Sequence, residues 1–143
     1  MIALGCDQGG FVLKQEIMAH LKERGLEFKD YGSYDEQSVD YPVYAKKVAE
    51  AILSGECDRG ILICGTGIGI SIAANKYEGI RAALCTDCFM AEATRLHNDT
   101  NIVALGGRVV GPELAVKIVD TFLNTEFLGG KYQKRVEELD QIS

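Results

Sequence analysis

The feature that most constrains the fold is a regular alternation of short apolar runs with longer amphipathic segments. Parallel strands need crossover connections, usually helices, so this alternation is typical of a parallel sheet with helices on both faces. The apolar runs predict five strands, at residues 2–6, 27–31, 60–64, 80–85 and 101–105. Apolar residues at helical spacing predict helices at residues 11–24, 42–54, 70–76, 87–96, 112–123 and 131–142.

Length and composition indicate one globular unit. The chain has 143 residues, the size of a single domain, which we place at 1–143. Apolar residues make up 47% and charged residues 25%, as in ordinary soluble proteins. No apolar run approaches the roughly 20 residues of a membrane helix, and the first residues do not resemble a signal peptide. The odd number of cysteines, five, then favours free thiols in a reducing cytoplasm.

The net charge limits the classes of partner. With 15 Lys and Arg against 21 Asp and Glu, it is −6. Because an acidic chain binds phosphate polymers poorly, we expect neither nucleic acid nor an anionic membrane as a partner. One small anion could still be held by Lys131 and Arg135, at i and i+4 on the last predicted helix. The alternative is a solvated helix whose Glu137, Glu138 and Asp140 balance these cations.

The most informative motif is the glycine-rich loop after the third predicted strand, where residues 64–71 read Cys-Gly-Thr-Gly-Ile-Gly-Ile-Ser. Closely spaced glycines let the backbone turn sharply and aim several N–H groups at one point. The helix that follows adds its positive N-terminal end. We therefore predict a site for a phosphate, or for an oxyanion formed during a reaction. The spacing matches neither the dinucleotide fingerprint nor the Walker pattern.

Two side chains near predicted strand or helix ends are candidates for proton transfer. Amide dipoles favour the thiolate form of a nearby cysteine, so Cys64 is a candidate base or nucleophile; the alternative is a thiol packed as a small apolar residue. His97, followed by Asn98 and Asp99, is a candidate acid or base, or a helix-end histidine bonded to a carbonyl. His20 lies off the apolar stripe of its helix, and we expect it to be solvated.

A second cysteine pattern, Cys85-Thr86-Asp87-Cys88, is a weak signal. A structural zinc site needs two further ligands, and the sequence has no second C-x-x-C and no histidine pair. We therefore expect no metal here, with Cys85 at a strand end and Cys88 at a helix start.

Six blocks of sequence together carry a resemblance that covers nearly the whole chain. They are Gly5-Cys6-Asp7, Asp40-Tyr41-Pro42, and residues 63–71, 97–101, 107–111 and 129–135. In order and spacing they resemble the type B ribose-5-phosphate isomerases, whose wider family includes allose-6-phosphate and galactose-6-phosphate isomerases.

The resemblance implies a Rossmann-like, three-layer α/β/α sandwich with a five-stranded parallel sheet. It also implies a homodimer, or a dimer of dimers, whose sites combine residues of two chains, with helix 131–142 reaching the partner subunit. The implied reaction is a cofactor-independent and metal-independent aldose–ketose isomerisation of a sugar phosphate, most directly ribose 5-phosphate to ribulose 5-phosphate, through a cis-enediolate.

The resemblance also assigns residues to that reaction. Cys64 is the base that moves a proton between C1 and C2, Thr66 assists beside the sugar oxygens, and His97 opens the sugar ring. A thiolate, a cup of amides and an imidazole can together supply this chemistry. The substrate-binding positions that match are Asp7, Gln8, Tyr41, Gly65, Gly67, Ile68, Gly69, Ser71, Asn98, Arg108, Lys131 and Arg135.

Three departures from the family pattern leave the sugar open. The family usually has His at the position of Gln8 and Arg at that of Lys131, and often His at that of Tyr132. Gln8 cannot carry charge, and Lys131 offers a point charge in place of a bidentate fork. Allose 6-phosphate, galactose 6-phosphate or a tetrose phosphate are therefore alternative substrates.

Two alternatives lie outside a self-sufficient isomerase. The same fold could host a non-catalytic phosphate-binding module. The chain could also be one subunit of a hetero-oligomeric isomerase, although the presence of both Cys64 and His97 favours a self-sufficient chain.

Overall fold

The computed structural model of the protein describes residues 1–142. Five strands alternate with the first five of six helices, as the apolar pattern predicts. The strands are β1 (Ile2–Cys6), β2 (Phe28–Asp30), β3 (Arg59–Cys64), β4 (Ala82–Leu84) and β5 (Ile102–Gly106). The helices are α1 (Phe11–Glu23), α2 (Tyr41–Leu53), α3 (Ile68–Ala74), α4 (Cys88–Asn98), α5 (Pro112–Asn124) and α6 (Lys131–Asp140).

The strands form one parallel sheet in the order β2-β1-β3-β5-β4. Every residue of β1 and β5, and all but the first of β3, is buried. A parallel sheet has helices on both faces, so its central strands have no solvent-facing side. That is why these strands are continuous apolar runs in the sequence and do not alternate.

Helices cover both faces of the sheet, which confirms the predicted three-layer α/β/α sandwich. On one face α1, α4 and α5 pack against alternate residues of the central strands, such as Leu4, Ile63 and Leu105. On the other face α2 and α3 pack against the intervening residues, among them Cys64 and Ala104. The last helix, α6, packs on α4.

The structure differs from the predicted boundaries mainly at α3, which begins and ends two residues earlier than predicted, and at β4, which is shorter than the apolar run 80–85. The N–H of Ile80 donates to the carbonyl of Tyr77, and the N–H of Arg81 donates to the side chain of Asn101. These contacts take up the N–H groups of both residues, and β4 runs only from Ala82 to Leu84. Within residues 1–142, no helix is long and apolar enough to cross a membrane.

Candidate active site

The strand order creates a crevice between β1 and β3. The chain leaves the carboxyl end of β1 toward β2 on one side, and leaves β3 toward β4 on the other. Such a switch point is where ligands bind in open parallel sheets. Asp7 and Gln8 follow β1 here, Cys64 ends β3, and Arg108 follows β5. We call the residues gathered here the carboxyl-edge cluster: Asp7, Gln8, Tyr41, Arg108 and residues 64–71.

The sulfur of Cys64 is held against the glycine-rich loop. The backbone N–H of Gly67 donates to Cys64 Sγ at 3.1 Å, and the thiol is 5% exposed. Gly67 has φ +80°, and a Cβ there would lie 2.6 Å from Leu84 Cδ1. Only glycine fits that conformation and space, so Gly67 is required for the turn that aims an amide at the sulfur.

The loop leads directly into α3. In the first turn of a helix the N–H groups have no carbonyl partner within the helix. The N–H of Ile68 donates to Thr66 Oγ1 at 3.2 Å. The N–H groups of Gly69 and Ile70 lie at the same helix end. The hydroxyl of Ser71 donates to the Ile68 carbonyl at 2.8 Å, which occupies its proton.

The segment after β1 packs directly on this loop. Asp7, 7% exposed, accepts a hydrogen bond from the N–H of Gly9 at 2.9 Å. A Cβ on Gly9 would lie 2.7 Å from Gly65 N, so the two backbones touch. The Oε1 of Gln8 accepts from the N–H of Val39 at 2.9 Å, which fixes the amide orientation and leaves its NH2 group available as a donor.

Two further side chains border the loop. The ring of Tyr41, at the start of α2, packs closely on Gly69. A Cβ on Gly69 would lie only 2.7 Å from Tyr41 Cζ. The guanidinium of Arg108 lies beside Gly65, with Nη1 3.7 Å from the position of a Cβ there. Arg108 forms no ion pair with any residue of 1–142. The crevice therefore combines a thiol, loop amides and an uncompensated cation.

The other predicted residues lie at the opposite edge of the sheet. His97 and Asn98 are the last residues of α4, Asp99 caps the helix at φ 47°, and β5 begins at Ile102. The carbonyl of Asn98 accepts from Arg81, which immediately precedes β4. We call this group the amino-edge cluster: His97, Asn98, Lys131, Tyr132 and Arg135.

Within the amino-edge cluster, α6 meets the end of α4. The rings of His97 and Tyr132 stack with centroids 4.5 Å apart and an interplanar angle of 21°. Lys131 and Arg135 flank the Tyr132 ring. A cleft of about 750 Å³ also opens at this edge; it includes Asn98 and no residue of the carboxyl-edge cluster.

One chain therefore does not bring Cys64 and His97 together. Cys64 ends β3 and His97 lies just before the opposite end of the neighbouring β5. The six residues of β3 rise about 3.3 Å each, so the two edges are about 17 Å apart. We call the two clusters candidate half-sites.

Two expectations outside these clusters can also be compared with the structure. His20 is not simply solvated, because its Nε2 lies 2.9 Å from Asp120 on α5; residues 100 positions apart give no local signal of such a pair.

Cys85 directly follows β4 and Cys88 begins α4, as predicted. Burial, and then the nearby Asp87, raise the pKa of the Cys85 thiol to about 11.

Comparison with known proteins gives one consistent answer. The family model described as Ribose/Galactose Isomerase matches residues 2–139. The chain is 56% identical over 141 residues to the ribose-5-phosphate isomerase B of Escherichia coli (strain K12), covering 99% of this chain and 95% of that protein. It is 46% identical over 140 residues to the D-erythrulose-4-phosphate isomerase of Pectobacterium atrosepticum, covering 96% and 91%.

A solved structure agrees at the level of the fold. The ribose-5-phosphate isomerase B of Clostridium thermocellum superposes with a TM-score of 0.97 at 58% identity, covering 98% of this chain and 95% of that one. A match of this extent, in sequence and in structure, includes both half-sites and the sheet between them. The chain belongs to the ribose/galactose isomerase family and is an isomerase.

Proposed function

We propose that this isomerase interconverts ribose 5-phosphate and ribulose 5-phosphate through a cis-enediolate, without a cofactor. The observation that carries the proposal is the Gly67 N–H on the sulfur of Cys64, in a glycine-rich loop beside the uncompensated Arg108. The E. coli relative, 56% identical, is named for that substrate.

The carboxyl-edge cluster supplies the proton transfer. As thiolate, Cys64 takes the proton from C2 of the open aldose, and the C2–H electrons form the C1–C2 double bond of the enediolate. Amides of residues 65–69 stabilise the resulting oxyanion, with Thr66 beside it. The Cys64 thiol then returns its proton to C1, the proton of the O2 hydroxyl passes to the O1 oxyanion, and O2 becomes the ketone oxygen, so protons and electrons balance. Asp7, Gln8 and Tyr41 hold the sugar hydroxyls.

The amino-edge cluster supplies the groups that open the sugar ring and bind the phosphate. Because it lies about a strand length (~17 Å) from Cys64 in its own chain, we propose a homodimer in which His97 of the partner subunit faces Cys64. Lys131 and Arg135 of the same partner subunit then join Arg108 around the phosphate, while Asn98 contacts the sugar. Each dimer has two such composite sites, and two dimers can associate further.

The sharpest test of the composite site is complementation between two inactive variants. Cys64→Ala and His97→Asn, each alone, lack one group at every site. After equal amounts are denatured and refolded together, half of the dimers contain one chain of each kind, and each of these has one intact site. The mixture is expected to recover about a quarter of wild-type ribose 5-phosphate turnover.

A control mixture of Cys64→Ala with itself, refolded in the same way, should remain inactive. If both groups acted within one chain, the mixed dimers would have one defect at every site and no activity would return. Sizing of the refolded protein checks that the chains pair. A wild-type protein that turns over no ribose 5-phosphate would contradict the proposed substrate.

A second candidate substrate is a tetrose phosphate. The P. atrosepticum relative is named for D-erythrulose 4-phosphate, and Gln8 gives this chain a neutral donor where the family usually has His. Turnover of erythrose 4-phosphate, allose 6-phosphate and galactose 6-phosphate, measured beside ribose 5-phosphate, ranks them by kcat/KM. Solvent deuterium entering C1 or C2 separates an isomerase from a phosphate-binding module.

A further inference from the structure

The ring of Tyr132 connects three groups of the amino-edge cluster. One contact is the stack with His97, at 4.5 Å between centroids. The ring centroid also lies 5.2 Å from Lys131 Nζ and 5.7 Å from Arg135 Cζ. Both distances are within the range of cation–π attraction. Tyr132 is half-buried, whereas Lys131 and Arg135 are exposed.

The stack is what orients the imidazole. The histidine hydrogen bonds within residues 1–142 are those of His20 with Asp120; neither ring nitrogen of His97 has a partner there. The backbone beneath His97 is fixed, because Arg95 bonds Asp99 and the Thr100 carbonyl. A fixed backbone leaves the side-chain torsions of His97 free, and ring stacking is the contact that limits them.

We propose that Tyr132 is a positioning residue for ring opening, an inference that rests on the proposed function. It holds the His97 imidazole at a set distance from the Lys131 and Arg135 cations, and so fixes the imidazole relative to a bound phosphate. In ring opening the proton leaves O1 and reaches O4, the C1–O4 bond breaks and the C1–O1 double bond forms. That proton transfer needs an imidazole placed at both oxygens.

The inference separates cyclic from acyclic substrates. Ribose 5-phosphate is largely a furanose and must be opened. Ribulose 5-phosphate cannot close a furanose ring, because its O5 carries the phosphate; erythrose 4-phosphate cannot, because its O4 does. Loss of the Tyr132 ring should therefore slow ribose 5-phosphate turnover while exchange of the C1 hydrogen of ribulose 5-phosphate with solvent deuterium continues.

The test compares Tyr132→Leu, which keeps apolar volume, with Tyr132→Phe, which keeps the ring. For Tyr132→Leu we expect kcat on ribose 5-phosphate to fall about tenfold and C1 exchange to change less than about twofold. Inhibition by inorganic phosphate should weaken about threefold, because both cations lose their ring contact. Tyr132→Phe should stay within about twofold of wild type in all three measurements.

The control is Tyr31→Leu, which removes a similar pair, with Lys29 Nζ 4.9 Å from the ring centroid, at the outer strand β2. It should leave the ratio of turnover to C1 exchange unchanged. An equal loss of both activities in Tyr132→Leu, or a turnover unchanged from wild type, overturns the role of Tyr132 while the proposed function stands. Wild type without turnover and without exchange instead overturns the proposed function. If wild type turns over ribose 5-phosphate but shows no C1 exchange, turnover of erythrose 4-phosphate replaces the exchange as the measurement on an acyclic substrate.

Discussion

The two edges of the sheet hold their functional groups in different ways. At the carboxyl edge the Cys64 sulfur and the Asp7 carboxylate are buried and bonded to backbone amides at 3.1 and 2.9 Å. At the amino edge an imidazole and two long cations are held mainly through one aromatic ring. Under the proposed function, this contrast corresponds to two roles: fixed backbone groups would stabilise charge at the reacting carbons, and adaptable side chains would bind the rest of the substrate.

The largest effect is expected when the thiol at the carboxyl edge is removed, in comparison with a thiol of the core beneath it. Cys64→Ala should lower kcat on ribose 5-phosphate about 1,000-fold, since the proton-transferring group is lost. Cys57→Ala is the matched control, because Cys57 is equally buried in the same apolar cluster and lies outside both half-sites. Steady-state turnover and thermal midpoints measure both. Equal activity in the two variants would break the distinction between a reacting thiol and a packing thiol.

The next effect concerns α4, the helix that links the two edges. Cys85 precedes α4 at the carboxyl edge, and burial raises its pKa from 9.0 to about 11. As the pH rises, the unfolded chain loses this proton before the folded chain does. The thiol's contribution to the free energy of unfolding is therefore complete below pH 9 and is lost as the pH rises through 11. At 1.36 kcal/mol per unit, the loss is about 2–3 kcal/mol.

Cys85→Ala tests this through urea unfolding between pH 8 and 11.5. Lysine and tyrosine titrations affect both proteins, so the measured quantity is the difference in unfolding free energy between wild type and variant. Wild type should be the more stable protein at pH 8, and the difference should shrink as the pH rises. A difference independent of pH would show that folding does not raise the pKa of the Cys85 thiol.

The smallest effect asks whether both edges hold the phosphate. Arg108→Ala and Arg135→Ala should each weaken competitive inhibition by inorganic phosphate about tenfold, because each loses one charge-assisted hydrogen bond. Lys134→Ala removes an exposed cation of α6 that is not a member of either cluster, and should change inhibition less than about twofold. A loss from only one of the two arginines would assign the phosphate to a single edge.

Much of this arrangement is predictable from local sequence. The apolar runs give the strands, and the glycines around Thr66 give the loop that meets the Cys64 sulfur. The position of His97 at the amino edge also follows, since a helix that precedes a strand ends where that strand begins. These features depend on residues close together in the chain.

Other features depend on contacts between distant residues and have no local signal. The fully buried Lys14 bonds Asp30 and the Ser33 carbonyl, a partnership that nothing in the α1 pattern reveals. The stack of His97 on Tyr132 depends on how α6 docks on α4. Helical spacing places Lys131 and Arg135 on one face, but it does not tell which helix that face meets.

The placement of the two half-sites on opposite edges has a genetic consequence. Under the proposed pairing, every site combines the carboxyl-edge cluster of one chain with the amino-edge cluster of its partner. Two damaged alleles expressed in one cell could then restore each other when the lesions fall on different edges, and could never do so when they fall on the same edge.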